Sequence, residues 1–176
     1  MITLREIRRD DIPAINRWRH DPVVSAGVGA PRRFIGIDVD MKWYDEYLAR
    51  RGTDVRCAVC LADSGALVGM VSLTRIDPVH RHAEFHIVIG ERASQNRGLG
   101  TAAARAMVRH GFRDLNLHRI YVGILKSNVS SIRTCEKAGF RHEGMAREGA
   151  YKDGRYHDLV QMGLLKSDLP TDEGDR

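Results

Sequence analysis

Aromatic residues make up only 6% of this 176-residue chain, cysteine occurs three times, and no apolar run approaches the ~18 residues that span a bilayer. Each shortage excludes something. Without a long apolar run there is no membrane-spanning helix, and Met-Ile-Thr-Leu-Arg-Glu at the start is unlike a signal peptide, so no membrane partner and a cytoplasmic setting are expected. Three cysteines, an odd count, argue against a disulfide framework. Cys57-x-x-Cys60 has the spacing of a metal or redox pair. It falls in a strand-like run, however, where positions i and i+3 face opposite sides. Two buried thiols and no metal are the expectation. The formal net charge of +5 and pI of about 9.4 would suit nucleic acid. With scattered cations and few aromatics no nucleic-acid partner is expected. A polyanionic small molecule or an acidic partner accounts for the charge equally well.

The chain is ordinary in apolar (43%) and charged (29%) content and shows no repeats or linker. One domain over residues 1–166 is expected, with a polar, frayed tail from 167 to 176. Ile2, Leu4 and Ile7 open a first strand. Asp10 or Asp11 can cap a helix through Ile15 and Trp18 to Arg19, which Pro22 ends. Val23 to Gly36, rich in Gly, Pro and small residues, reads as a loop long enough to serve as a substrate wall. Asp38 or Asp40 then caps a helix from Met41 to Arg50. Asp54 to Ala62 and Leu67 to Ile76 form a hairpin about Asp63-Ser-Gly-Ala.

The most informative stretch runs from Glu84 to Gly111. His82 to Gly90 alternates, with Ala83, Phe85, Ile87 and Ile89 on one face and Glu84, His86 and Val88 on the other, which is a half-buried strand. Gln95-Asn96-Arg97-Gly98-Leu99-Gly100 follows, then a helix from Thr101 with Leu99, Ala102, Ala103, Ala106 and Met107 as its apolar stripe. Strand, glycine loop and helix N-terminus make a candidate pyrophosphate cradle: the first helical amides have no internal partner, and glycines let a phosphate approach them. A dinucleotide fingerprint would need a third glycine where Ala103 stands, and a P-loop would need a lysine between Gly100 and Thr101.

His118 to Leu125 reads as a strand buried on both faces. Asn128 or Ser127 caps a short helix with Ile132, Cys135 and Ala138, closed by Gly139 and Phe140. Arg141 to Ala150 and Arg155 to Leu165 form a last hairpin about Lys152-Asp-Gly154. The order predicts an α+β domain with a mixed, mostly antiparallel seven-stranded sheet flanked by helices. Its fourth and fifth strands are parallel because the central helix crosses between them.

Gln95-x-x-Gly98-x-Gly100 resembles the acyl-CoA pyrophosphate loop of the GNAT superfamily of N-acetyltransferases. Asn128-Val-Ser-Ser-Ile-Arg-Thr-Cys-Glu-Lys-Ala-Gly-Phe140 resembles its second motif. Glu143-Gly144 and Asp153-Gly-Arg-Tyr-His-Asp158 are similar to the branch acetylating ribosomal-protein N-termini, polyamines and nucleotide-linked amino sugars. The resemblance spans Ile2 to Leu165. It implies that strands four and five splay apart, with the cofactor's pantetheine arm in the gap. It further implies an acetyl-CoA-dependent transfer to a primary amine by direct attack in a ternary complex, with no metal. Acetyl-CoA would be held by Gln95, Asn96, Arg97, Gly98, Leu99, Gly100, Thr101, Asn128 and Ser131. Amides near Val88 and Ile89 would polarise the thioester.

Glu84 is the first candidate base and His86, one pleat away with an ordinary pKa near 6.5, the second. Many members place a tyrosine before the Glu-Lys-x-Gly-Phe run to protonate the departing thiolate. Here that position is Cys135, and Ser131 takes the expected role. Arg32, Arg33, Phe34 and Tyr156 are the expected acceptor contacts, with Lys152, Arg155 and His157 near them. Such cationic walls repel a polyamine and attract an acceptor with phosphate or carboxylate. A protein N-terminus and an amino sugar, free or nucleotide-linked, are the acceptors expected, and spermidine a poor one. Asp158, Tyr156 and Trp18-Arg19 lie where the resembled branch touches acceptor or a second subunit, so a homodimer is entertained. The alternative to an enzyme is a non-catalytic acyl-CoA sensor.

Overall fold

The computed structural model describes residues 1–169. In chain order it contains β1 (Ile2–Glu6), α1 (Ile12–His20), α2 (Pro22–Ala26), α3 (Ile37–Ala49), β2 (Val55–Leu61), β3 (Leu67–Asp77), β4 (His82–Ile89), α4 (Leu99–Arg113), β5 (Arg119–Leu125), α5 (Val129–Lys137), β6 (Arg141–Lys152) and β7 (Arg155–Leu165). The seven strands form one sheet in the order β1-β2-β3-β4-β5-β7-β6. Neighbours are antiparallel except β4 and β5, as the crossover through α4 requires.

The parallel pairing is short. Only His82, Ala83 and Glu84 pair with Arg119, Ile120 and Tyr121, and the two strands then diverge. Beyond Glu84, β4 keeps β3 as its partner on one edge and faces a gap on the other.

Alternation along the strands sorts the core into two layers. Val59, Val71, Leu73 and Phe85 pack against Ala103, Met107 and Phe112 of α4. On the opposite face Ala58, Cys60, Met70 and Val88 meet Ile15, Trp18, Trp43 and Tyr47 from α1 and α3. Fully burying a side chain such as Met107 or Phe85 stabilises the fold by ~1.5–3 kcal/mol. Cys57 joins the α4 layer and Cys60 the α3 layer, so the two thiols lie on opposite faces. Burial pushes the Cys57 thiol up to about 11.

Several local expectations need correction. Pro22 starts the short helix α2 rather than only ending α1; the Asp21 carboxylate accepts from the amides of Val23 and Val24. The irregular part of the wall is therefore 27–36. Helix α3 begins at Ile37 behind Gly36, not at Met41. Neither Asp38 nor Asp40 caps it: Asp40 is buried, bonding Asn16 and Arg19 instead. Asp11 likewise makes no cap for α1 and pairs with Arg5 at 2.7 Å. The buried stripe of α4 is Leu99, Ala103, Ala104, Met107, Val108, Gly111 and Phe112, while Ala102 is exposed. Strand β5 buries Ile120, Val122 and Ile124 on one face, while on the other Leu125 is buried, Arg119 and Tyr121 are half-buried and Gly123 is open. Residues 167–169 are not frayed: Asp168 accepts from the Leu165 amide and pairs with Arg141. The rest of the expected tail lies outside the described residues.

Candidate active site

The splay between β4 and β5 opens a cleft in two parts. One cavity of about 460 Å³ lies on the α1–α3 side. The other, about 590 Å³, lies against the glycine loop and α5. They share Val24, Gly27, Val28, Ile87, Val88, Asn128 and Ser131, so they meet at the gap.

The second cavity is built from helix ends. Gly98 stands at the N-cap of α4 with φ 78, a left-handed value that a side chain would strain. The loop turns there and presents the first amides of α4 to the cavity, whose wall includes Gln95, Asn96, Gly98, Gly100 and Thr101. A Cβ on Gly100 would stand between Ile89 and Thr134, 3.7 and 3.6 Å away. Gln95 donates to the Ile89 carbonyl at 2.9 Å, fastening the loop to the end of β4. Two expected contacts are absent from the wall. Leu99 is a core side chain packed in the α4 layer, and Arg97 projects outward. The cations that do line it are Arg133 and Lys137 of α5. With Ser130 and Thr134 they recur at i, i+3, i+4 and i+7, a helical pattern that was readable from the sequence.

Asn128 joins the two cavities. Its carboxamide oxygen caps α5 by accepting from the Ser131 amide at 3.0 Å, and its NH2 donates to the Gly27 carbonyl at 2.9 Å. From the other side Lys152 reaches back, buried at 5% exposure, and donates to the carbonyls of Ser25, Ala26 and Val28. The wall after α2 is thus tied to both α5 and the last hairpin.

The first cavity holds the proton-handling groups. Glu84 belongs to the closed, paired end of β4 and lines neither cavity; it pairs with Arg75 at 3.2 Å. His86, one pleat further, is past the divergence and does line the cavity. Its Nε2 is 3.0 Å from Thr74 Oγ1 and 3.7 Å from the nearer Glu84 oxygen. About half of the imidazole opens on the cavity, yet the walls still desolvate it and push its pKa below the usual histidine range, against the pull of Glu84. Ser131 sits at the junction. Cys135 lines the first cavity, and burial pushes its thiol up to about 12.

Of the expected acceptor contacts, Arg32 and Arg33 line the cavity and Phe34 and Tyr156 do not. Phe34 is 97% exposed, and Tyr156 stacks edge-on against Tyr151 on the outside of the hairpin. Trp18 and Arg19 both line the first cavity, Trp18 also donating to Glu91 at 2.9 Å, whereas Asp158 lines neither cavity and accepts from the Glu148 amide at 3.0 Å. Missed by the sequence reading were Trp43, Arg56 and Ser72 on the cavity wall. Among the described residues no group of three or more His, Cys, Asp or Glu is placed to hold a metal ion.

A family model for the acetyltransferase (GNAT) domain matches residues 1–141. The chain belongs to the GNAT acetyltransferase family. Acetyl-CoA is the acyl donor of GNAT acetyltransferases, and the second cavity has what its pyrophosphate needs: first-turn amides beside Arg133 and Lys137. The chain is 36% identical over 124 residues to the putative ribosomal N-acetyltransferase YdaF of Bacillus subtilis, covering 70% of this chain and 65% of YdaF. It is 37% identical over 102 residues to the spermidine N(1)-acetyltransferase of Escherichia coli K12, 58% of this chain and 54% of that one. The match thus spans less than two thirds of either relative. The Vibrio cholerae spermidine N-acetyltransferase, solved with CoA and spermine, superposes with a TM-score of 0.87 at 28% identity, over 95% of this chain and 96% of that one.

Proposed function

We propose that the protein is an acetyl-CoA-dependent N-acetyltransferase acting on a primary amine that belongs to a neutral or anionic molecule: a protein N-terminus or an amino sugar, free or nucleotide-linked. One observation carries the choice of acceptor. The first cavity is lined by Arg19, Arg32, Arg33, Arg56 and Lys152, and by no carboxylate among the described residues. Arg19 and Arg56 are paired with Asp40 and Asp54, and Lys152 is spent on backbone carbonyls, so the charge that would repel an entering polycation is that of Arg32 and Arg33.

The chemistry follows from the two-part cleft. Holding donor and acceptor across the β4–β5 gap makes the attack effectively intramolecular. The amine nitrogen attacks the thioester carbonyl, the C–S bond breaks, and the sulfur leaves as thiolate. Free amides on the open edge of β4 near Val88 and Ile89 polarise the carbonyl. His86, neutral at pH 7, takes the ammonium proton, with Thr74 and Glu84 behind it. The Ser131 hydroxyl at the junction passes a proton to the thiolate and recovers one from solvent, to which it is partly open.

A polyamine acceptor is the second reading, favoured by the likeness to the Vibrio cholerae and Escherichia coli enzymes. Release of free CoA in the presence of polyamines, amino sugars, nucleotide-linked amino sugars and short peptides separates the two. Turnover of an anionic acceptor that weakens with salt is expected. Spermidine as the best acceptor would overturn the choice, and no turnover with any amine would favour an acyl-CoA sensor.

A further inference from the structure

Strand register places Arg56, Ser72 and His86 side by side. Arg56 is opposite Ser72 across β2 and β3, and Ser72 is opposite His86 across β3 and β4. All three side chains line the first cavity. Two atoms in this row are without partners: Arg56 Nε and Ser72 Oγ are covered and make no hydrogen bond. Among the described residues no other buried side-chain nitrogen or oxygen is left so.

Buried polar groups are almost always paired, and an orphan costs ~1–3 kcal/mol. Here two orphans stand on adjacent strands in directly opposed positions, where Cβ atoms lie ~4.5–5.5 Å apart. Arg Nε can only donate, and a serine hydroxyl donates readily. The missing partner is therefore an acceptor oxygen. The guanidinium is already positioned for one. Its Nη2 donates to Asp54 at 2.8 Å, and it lies 5.1 Å from the centre of the Trp43 ring. Arg19 lies over the same ring at 5.7 Å. The nearby carboxylates are engaged behind this edge, Asp54 also by the Arg75 amide and Asp40 by Asn16 and Arg19.

We propose that Arg56 and Ser72 form an oxyanion subsite that holds a carboxylate or phosphate group of the acceptor while its amine is presented to His86. The row from Arg56 to His86 spans two strand spacings, ~10 Å between backbones, so the acceptor's anion and amine are several bonds apart. Because the two atoms are covered in the free protein, the oxygen is admitted as the flexible Arg56 side chain re-seats over Trp43. The assignment of the bound group to the acceptor rests on the proposed acetyltransfer; the anion binding does not.

The test uses the full chain saturated with CoA, which fills the second cavity, titrated with inorganic phosphate and followed by calorimetry and by the Arg56 Nε–H resonance. Wild type should bind one phosphate with a shift of that resonance. Ser72→Ala should bind it ~5–12-fold more weakly, the worth of one hydrogen bond. Its melting temperature should hold or rise, since the change removes a buried hydroxyl that bonds nothing in the free protein. Arg56→Lys, which keeps the charge but loses the fork, should weaken binding by more than about tenfold. Equal affinity in all three proteins would mean an adventitious ion only, and no binding would leave the row to a trapped water; either overturns the subsite. Separately, the preference for an acidic acceptor over its amide analogue should collapse in Ser72→Ala. Phosphate binding at Arg56 together with spermidine as best acceptor would overturn the acceptor class alone.

Discussion

Replacing Gly100 by alanine should raise stability and lower cofactor affinity in the same protein. Gly100 is the second residue of α4, and its added Cβ would meet Thr134 Cγ2 at 3.6 Å, Ile89 Cγ1 at 3.7 Å and Thr134 Oγ1 at 3.8 Å. Those are ordinary contacts, so the free fold has room for the methyl group. Alanine also loses less backbone entropy than glycine in a helix, a gain of up to ~0.5–1 kcal/mol, less in a first turn. The same methyl group stands in the mouth of the phosphate cradle and holds an oxygen away from the first amides. Losing one hydrogen bond to a charged group costs ~1.5–3 kcal/mol, or ~10- to 150-fold in Kd. Thermal melting without ligand gives the first number and calorimetric titration with CoA the second. Gly100→Val should exaggerate the second effect. An alanine variant that is more stable yet binds CoA with wild-type affinity would show that the pyrophosphate does not sit on these amides.

His86→Gln should lower kcat at saturating acceptor by ~10²–10⁴, and Glu84→Gln by less than about tenfold. Burial lowers the His86 pKa, so the imidazole stays unprotonated and active into the range below 6.5, and kcat should fall only as pH drops through the shifted value. That acid limb should vanish in His86→Gln, and its survival there would hand the role to Glu84. Ser131→Ala should reduce kcat by ~10- to 100-fold, the low end of general acid–base contributions. Cys135→Ala, at a position with no exposure, should change stability and leave kcat near wild type; the reverse ranking would refute the assignment. Lys152→Met leaves the carbonyls of Ser25, Ala26 and Val28 without their donor and should cost ~2–4 kcal/mol in urea titration, with faster proteolysis in 27–36. A loss below ~0.5 kcal/mol would mean that the clamp holds nothing.

Local patterning carried much of this protein. The alternation of Ala83, Phe85, Ile87 and Ile89, the glycine loop and the Asn128 cap depend on contacts within a few residues, and the structure reproduces them. The two glycines and the Asn128–Phe140 run were enough to identify the family. The errors at Asp11 and Asp40 share a cause. Each is a good capping residue in its local sequence, but Arg5 in one case and Asn16 with Arg19 in the other compete for the carboxylate from another element.

What the chain could not announce depends on where strands meet and part. Glu84 and His86 share a face with only Phe85 between them, so nothing local ranks them; the divergence of β4 from β5 just past Glu84 puts only His86 of the two on the cavity. Arg56, Ser72 and His86 become neighbours through register, a long-range property set by the packing of both faces of the sheet. Phe34 looked like a stacking residue and is fully in solvent, while Lys152, expected as a cation of the acceptor wall, does line the first cavity but spends its ammonium on three carbonyls. Residue type and spacing report local chain geometry. Burial and the partner of a charge are decided by whichever distant segment folds against it.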